Sequence, residues 1–177
     1  MRSRVNIYDL MARVFWDEYD DIKSGGHSEY WNKGGRASTK SSFISLCIVR
    51  GLLVDPDANA LIYRKVRATL MDSVYAQIVW AIGELGCAHL FRYLKAPMEI
   101  IYRPTGQRIM FRGADDPRKS KSIKVSHGYF KYLWFEELTE FQGMEAIRTI
   151  KQSVFRGVDN AVTFYSYNPP RSAQERP

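Results

Sequence analysis

The run Gly34-Gly35-Arg36-Ala37-Ser38-Thr39-Lys40-Ser41, followed by the apolar stretch Phe43 to Val49, constrains this chain more than any other feature. Small residues let backbone N–H groups turn inward towards an anion. Lys40 adds a mobile ammonium, and Ser41 offers a hydroxyl at a helix start, where Mg²⁺ would sit. Strand-compatible residues, Glu29-Tyr30-Trp31, precede the run. A strand, a tight loop and a buried helix in that order would aim the helix's N-terminal dipole at bound phosphate. Gly34, Gly35, Ala37, Ser38, Thr39, Lys40, Ser41 and Ser42 are therefore the candidate phosphate-binding residues. The usual pattern is G-x-x-x-x-G-K-[ST], and Thr39 stands where the second glycine belongs. If that position requires a positive φ, threonine carries a steric cost that glycine avoids. The same cluster also reads as a solvated turn, so the rest of the chain has to decide.

The chain has 177 residues, enough for one domain with a sizeable core, and 45% hydrophobic with 25% charged residues argues for a globular fold. A net charge of +7 points towards a polyanionic partner. Cys47 and Cys87 both sit in apolar segments, which predicts buried thiols in a reducing compartment. The scattered His27, His89 and His127 make no zinc pattern. No apolar run approaches membrane-spanning length and no N-terminal signal region is visible, so a cytosolic protein is expected.

Tyr8, Met11, Phe15 and Tyr19 fall at helical spacing, which predicts an N-terminal helix over Val5 to Tyr19. The acids Asp17, Glu18, Asp20 and Asp21 then form a solvated face, and Ser24-Gly25-Gly26 a flexible connection. The expected division is an N-terminal helix and linker over 1–28 and a main domain over 29–177. Gly51 and Asp55-Pro56-Asp57 should end the helix after the loop, and Ala60 to Tyr63 reads as a buried strand. Val74, Ile78, Ile82 and Leu85 predict a helix capped by Asp72 or Ser73 and stopped by Gly86. Met98 to Arg103 and Arg108 to Arg112, separated by Pro104-Thr105-Gly106-Gln107, suggest a β-hairpin. A cation-dense loop, Gly113 to Lys124, follows; it reads as a contact to DNA phosphates or a neighbouring subunit's nucleotide, or as a plain solvated loop.

Tyr132-Leu133-Trp134-Phe135-Glu136-Glu137 is the second informative stretch, a buried strand ending in two carboxylates. In a parallel sheet that end lies beside the loop after the first strand. One carboxylate could then serve the Mg²⁺ shell while its neighbour polarises the attacking water. A helix around Phe141, Met144 and Ile147 follows, then a strand Ala161 to Tyr167 that stops at Asn168-Pro169-Pro170. Ser166 and Asn168, near that strand's tip, are candidates for sensing a terminal phosphate.

The segments GGRASTKS, IYRKVRATLMDSVY, IMFRGADDPRKSKSI, YLWFEELTEF and FYSYNPP, in that order, resemble the ATPase domain of phage terminase large subunits. The resemblance is to the PBSX-like and SPP-type branch and runs from about Trp31 to Pro170. It implies an α/β P-loop NTPase fold with a mostly parallel central sheet, helices on both faces and a β-hairpin excursion. It further implies an ATP-driven motor that threads double-stranded DNA through a portal protein into a procapsid, in the host cytoplasm. Its partners would be the portal and the terminase small subunit, and it would work as a homo-oligomeric ring. By the same resemblance Arg36 stabilises the γ-phosphate, Ser41 and Glu136 hold Mg²⁺, Glu137 is the catalytic glutamate, and Ser166 and Asn168 belong to the coupling motif. Arg112 or Arg118 would act in trans or touch DNA. The family normally continues into an RNase H-like nuclease domain, so no nuclease activity is expected from these residues. A helicase or recombination ATPase, and a non-catalytic remnant of the fold, are the alternatives.

Overall fold

The structure, a computed structural model, describes residues 5–35, 37–114, 123–141 and 143–169. Seven strands form one sheet in the order β1-β7-β6-β2-β5-β4-β3. They are β1 (Glu29–Lys33), β2 (Ala58–Arg64), β3 (Phe91–Lys95), β4 (Met98–Tyr102), β5 (Arg108–Gly113), β6 (Tyr129–Glu136) and β7 (Val162–Tyr167). The first five in spatial order run parallel, and β4 and β3 extend the sheet antiparallel. The α-helices are α1 (Trp16–Ser24), α2 (Lys40–Val54), α3 (Ala76–Glu84) and α4 (Met144–Val154).

Side-chain alternation along each strand builds two cores. Ala60 and Ile62 of β2 and Trp134 of β6 face α2 and α3, whereas Leu61, Tyr63 and Phe135 face Ile147, Ile150 and Val154 of α4. Strands covered on both faces read as unbroken apolar runs, which is why residues 60–63 of β2 and 132–135 of β6 show no alternation. Helix α2 buries Phe43, Ile44 and the run Leu46 to Val49 together. A helix apolar on every side needs partners on every side, and here they are the sheet, α3 and the N-terminal segment.

That N-terminal segment departs from the expected single helix. It forms two 3₁₀ turns, Ile7–Leu10 and Arg13–Phe15, before α1. The Asn6 side chain accepts from the Tyr8 N–H and the Trp16 indole donates to the Tyr8 carbonyl, satisfying groups a continuous helix would have used. Ile7, Met11, Phe15 and Tyr19 nevertheless all reach the core shared with α2, with Phe15 stacked on Phe43 at 4.4 Å.

The acidic patch is only half solvated. Asp17 and Asp20 are exposed. Both carboxylate oxygens of Glu18 accept from the Asn32 amide at 2.9 and 3.0 Å, and Asp21 accepts from the Tyr30 hydroxyl at 2.6 Å, so two of the acids pin β1. Burial pushes the Glu18 carboxyl up, and the Tyr30 hydrogen bond holds that of Asp21 down.

Gly51 does not end α2. The helix runs through it to Val54 and stops at Asp55, and position 51 is glycine because a side chain there would strike the ring of Tyr132 on β6. Asp72 and Ser73 do not cap α3 either. They lie in a π-helical turn, Met71–Tyr75, that leads into it, and the Ser73 hydroxyl donates back to the Thr69 carbonyl at 2.6 Å. The hairpin β4–β5 stands as expected, while β3 extends the sheet beyond it. Cys47 and Cys87 are free and buried.

Candidate functional site

Three parallel strands bring their C-terminal tips to one edge of the sheet. Lys33 of β1 lies opposite Tyr167 of β7, and Ser166 of β7 opposite Glu136 of β6. The chain leaves β1 through the small-residue loop, with the Gly34 N–H held by the Tyr167 carbonyl at 3.2 Å, and enters α2 at Lys40. Ligands in open α/β sheets bind at such an edge, and here a helix N-terminus points into it.

The Lys40 ammonium sits within the loop. It donates to the carbonyls of Gly34 and Gly35 at 3.0 and 3.3 Å, to the Ser38 hydroxyl at 3.3 Å and to the Asn168 Oδ1 at 2.9 Å. Lysine can only donate, so the Asn168 oxygen must face it and the amide nitrogen must face away. That nitrogen meets the Glu137 Oε1 at 3.4 Å, a long contact. Lys40, Asn168 and Glu137 are thus joined across three elements.

Glu136 points to the other side of the same edge. Its carboxylate lies 3.1 Å from the Arg64 Nε at the tip of β2, with side chains only 12% and 18% exposed. The two charges touch, but the N–H is not aimed along the contact, and neither Nε nor Oε2 makes an aligned hydrogen bond. Burial pushes the Glu136 carboxyl up to about 7; Arg64 opposes this, and Glu137 and Glu140 add to it.

A cleft of about 410 Å³ opens beside Lys40 and Glu136, lined by the loop residues Ala37 to Ser42, by Asp72, Ser73, Ala76 and Gln77, and by Glu136. The Ser42 hydroxyl donates to the Gln77 Oε1 at 3.1 Å, tying the loop's helix to the opposite wall.

Backbone strain concentrates here. Among the described residues the non-glycine positions with positive φ are Ala37 (65°), Thr39 (57°) and Glu137 (55°). Each such residue costs on the order of 1–3 kcal/mol and persists only where its surroundings over-determine it. Thr39 makes no side-chain cap bond in return.

Of the residues singled out in the sequence, the structure gathers Gly34, Gly35, Ala37, Ser38, Thr39, Lys40, Ser41, Ser42, Glu136, Glu137 and Asn168 around one edge. Ser166 lies beneath it: the side chain is buried and its oxygen accepts from the Trp134 indole at 2.9 Å. Arg112 is committed to its own chain, paired at 2.8 Å with the buried Glu99, which also binds Arg108. Arg36 and Arg118 lie outside the described residues, as does most of the cation-dense loop. The sequence reading gave no part in the site to Arg64 or Gln77 and took Asp72 only for a helix cap; an arginine closing the buried run Ala60 to Tyr63 was the available signal for the first.

A family model described as phage terminase large subunit matches residues 27–175. The chain belongs to that family. It is 36% identical over 176 residues to the terminase large subunit of Bacillus phage SPP1, an alignment covering 97% of this chain and 42% of that protein. It is 37% identical over 107 residues to the PBSX phage terminase large subunit of Bacillus subtilis strain 168, covering 60% of this chain and 23% of that one. The terminase chain thus spans less than half the length of either relative. Its fold is also that of the N-terminal domain of the bacteriophage phi29 DNA packaging ATPase (TM-score 0.64, 11% identity, 87% of this chain and 79% of that one). The bacteriophage HK97 large terminase shares it too (TM-score 0.62, 15% identity, 89% and 33%). Among the described residues no helix is long and apolar enough to cross a membrane.

Proposed function

We propose that these residues form the ATP-hydrolysing domain of a phage DNA-packaging motor, which drives double-stranded DNA into a procapsid. The observation that carries the reading is the line Lys40–Asn168–Glu137, joining the phosphate loop to a carboxylate just past the end of β6. In this reading Gly34, Gly35, Ala37, Ser38, Thr39, Lys40, Ser41 and Ser42 cradle the phosphates. Glu137 accepts a proton from the attacking water. Asn168 reports the state of Lys40 to Glu137, and Ser166 supports β7 from below through Trp134.

The donor set suits Mg²⁺. Hard oxygen ligands are its usual partners, and Ser41 together with Glu136, whose buried Oε2 has no aligned hydrogen bond, would hold it. When bound it would neutralise charge developing on the phosphates. Arg36 is assigned to γ-phosphate stabilisation, worth on the order of 10³–10⁵ in rate in comparable systems. Arg118, and Arg112 if it leaves Glu99, are assigned to a neighbouring subunit's nucleotide or to DNA. Portal protein, terminase small subunit and further copies in a ring, in the host cytoplasm, complete the reading, and no nuclease step is assigned to these residues.

The test is ATP turnover and ATP binding by wild type, Lys40→Ala, Glu137→Gln and Arg36→Ala. Lys40→Ala should lose both. Glu137→Gln should keep binding and lose about 10²-fold or more in turnover, the scale of a general base. Arg36→Ala should lose more turnover than binding. DNA packaging into portal-bearing procapsids should follow turnover. Unchanged turnover in Glu137→Gln would refute the assignment.

A further inference from the structure

The Arg64–Glu136 contact has features that a structural ion pair would not need. Both side chains are largely buried, Glu136 lines the cleft, and the guanidinium Nε and carboxylate Oε2 meet at 3.1 Å without an aligned hydrogen bond. Arg64 is also attached elsewhere: its Nη1 donates to the Thr69 carbonyl at 3.3 Å. Thr69 in turn accepts from the Ser73 hydroxyl, and Ser73 lines the cleft opposite the phosphate loop. Arg64 therefore spans from the carboxylate to the turn that carries the far wall.

We propose that Arg64 is a positioning residue that stands in for a divalent cation at Glu136 and yields the carboxylate when metal and nucleotide enter. The inference rests on the metal role assigned to Glu136 above. A hard cation of this kind approaches carboxylate oxygen to about 2.1 Å. A guanidinium left against the same carboxylate would then lie a few ångströms from a double positive charge, and the low polarity of a buried site magnifies that repulsion. The poorly aligned Nε contact is the one to give way. Once it does, the Nη1 tether to Thr69 is no longer fixed from both ends, so filling the site is felt at the turn leading into α3.

The test titrates Mn²⁺, read as free Mn²⁺ by electron paramagnetic resonance, into the ADP-bound protein at pH 8.5. Wild type is compared with Arg64→Met, Arg64→Lys and Glu136→Gln. Arg64→Met removes the competing charge and should bind Mn²⁺ about tenfold more tightly, a modest fraction of what an unscreened charge at this distance would give. Arg64→Lys restores a cation and should return affinity close to wild type. Independently of how Arg64→Met folds, the wild-type Arg64 Nε–H resonance, identified by its loss in Arg64→Lys, gives a second reading. It should shift when Mg²⁺ joins ADP and stay put with ADP alone.

An unmoved resonance, or Mn²⁺ affinity in Arg64→Met equal to or weaker than wild type, overturns the exchange. If Glu136→Gln still loses Mn²⁺ in that case, Arg64 is a fixed partner and the metal role stands. If Glu136→Gln keeps wild-type Mn²⁺ affinity, the metal role falls and the exchange falls with it.

Discussion

Replacing Glu136 with glutamine should change the pH dependence of stability in a direction set by its burial. The carboxyl is held at about 7 in the folded, metal-free chain, against an ordinary value of 4.5. A raised acid keeps its proton in the fold while the unfolded chain has already lost it, so its contribution is fully favourable below the ordinary value. It is lost progressively as pH rises from about 4.5 to about 7, and is flat above that. At roughly 1.4 kcal/mol per pH unit, the window corresponds to about 3 kcal/mol as an upper figure. Below the window the protonated acid and the amide are near equivalents, and neither balances Arg64. Above it the wild type buries a carboxylate and the variant does not. Glu136→Gln should therefore match wild type near pH 4.5 and exceed it by about 2–3 kcal/mol near pH 8, roughly 4–12 °C in Tm for a chain of this size. Asp20, Asp21 and Asp55 are lowered and lose stability as pH falls, but they are common to both proteins and cancel in the difference. The assay is thermal unfolding of both proteins, metal-free, in parallel from pH 4.5 to 8.5. A Tm difference that stays constant across that range would refute the argument.

Three further outcomes are expected. Thr39→Gly should raise stability by roughly 1 kcal/mol in urea unfolding, since it removes left-handed strain, loses no cap bond, and pays back only part of the gain as chain entropy. Asn168→Ala breaks the line between Lys40 and Glu137 and should lower ATP turnover by about tenfold or more, the scale of about 1.4 kcal/mol in the transition state, with ATP affinity little changed by equilibrium binding. Phe15→Ala should cost about 3 kcal/mol in a single unfolding transition, because its ring stacks within the core shared with α2; a separate early transition would mark 1–28 as an independent unit.

Much of this architecture is visible in the chain because the relevant signals are local. The loop announces itself through residue size and Lys40, and β2 and β6 through apolar runs that only a doubly covered sheet explains. The hairpin announces itself through its turn. What escapes is whatever depends on strand order. Arg64 meets Glu136 because β6 lies beside β2 with Tyr63 opposite Phe135, a register no short window reveals. Lys40 meets Asn168 because β7 slots between β1 and β6. The role of Gly51 is invisible for the same reason: in sequence it looks like a helix stop, and only the Tyr132 ring on a distant strand turns it into a packing requirement. In the N-terminal segment the spacing of Met11, Phe15 and Tyr19 marks the buried face, while Tyr8 is only partly buried and Ile7 takes the inward place beside it. The backbone between them is settled by Asn6 and Trp16, whose hydrogen bonds compete with a helix.

The strained residue just past β6 explains how two neighbouring carboxylates come to lie at the same end of the sheet. On an extended strand successive side chains point to opposite faces. Glu136 continues the face of Trp134, towards α2 and α3, so Glu137 on an unbroken strand would turn towards α4. Its left-handed backbone, φ 55° and ψ 54°, ends the strand instead and carries the second carboxylate round to the tip of β7, where Asn168 reaches it. Glycine would adopt that backbone without penalty but has no carboxylate to deliver, so the strain is the cost of placing an acid there. Ala37 and Thr39 carry the same conformation in the phosphate loop. The left-handed non-glycine residues of the described chain therefore gather at this one end of the sheet, two in the loop that lines the cleft and one beside Asn168, and the buried cores on the two faces of the sheet hold the strands that carry them.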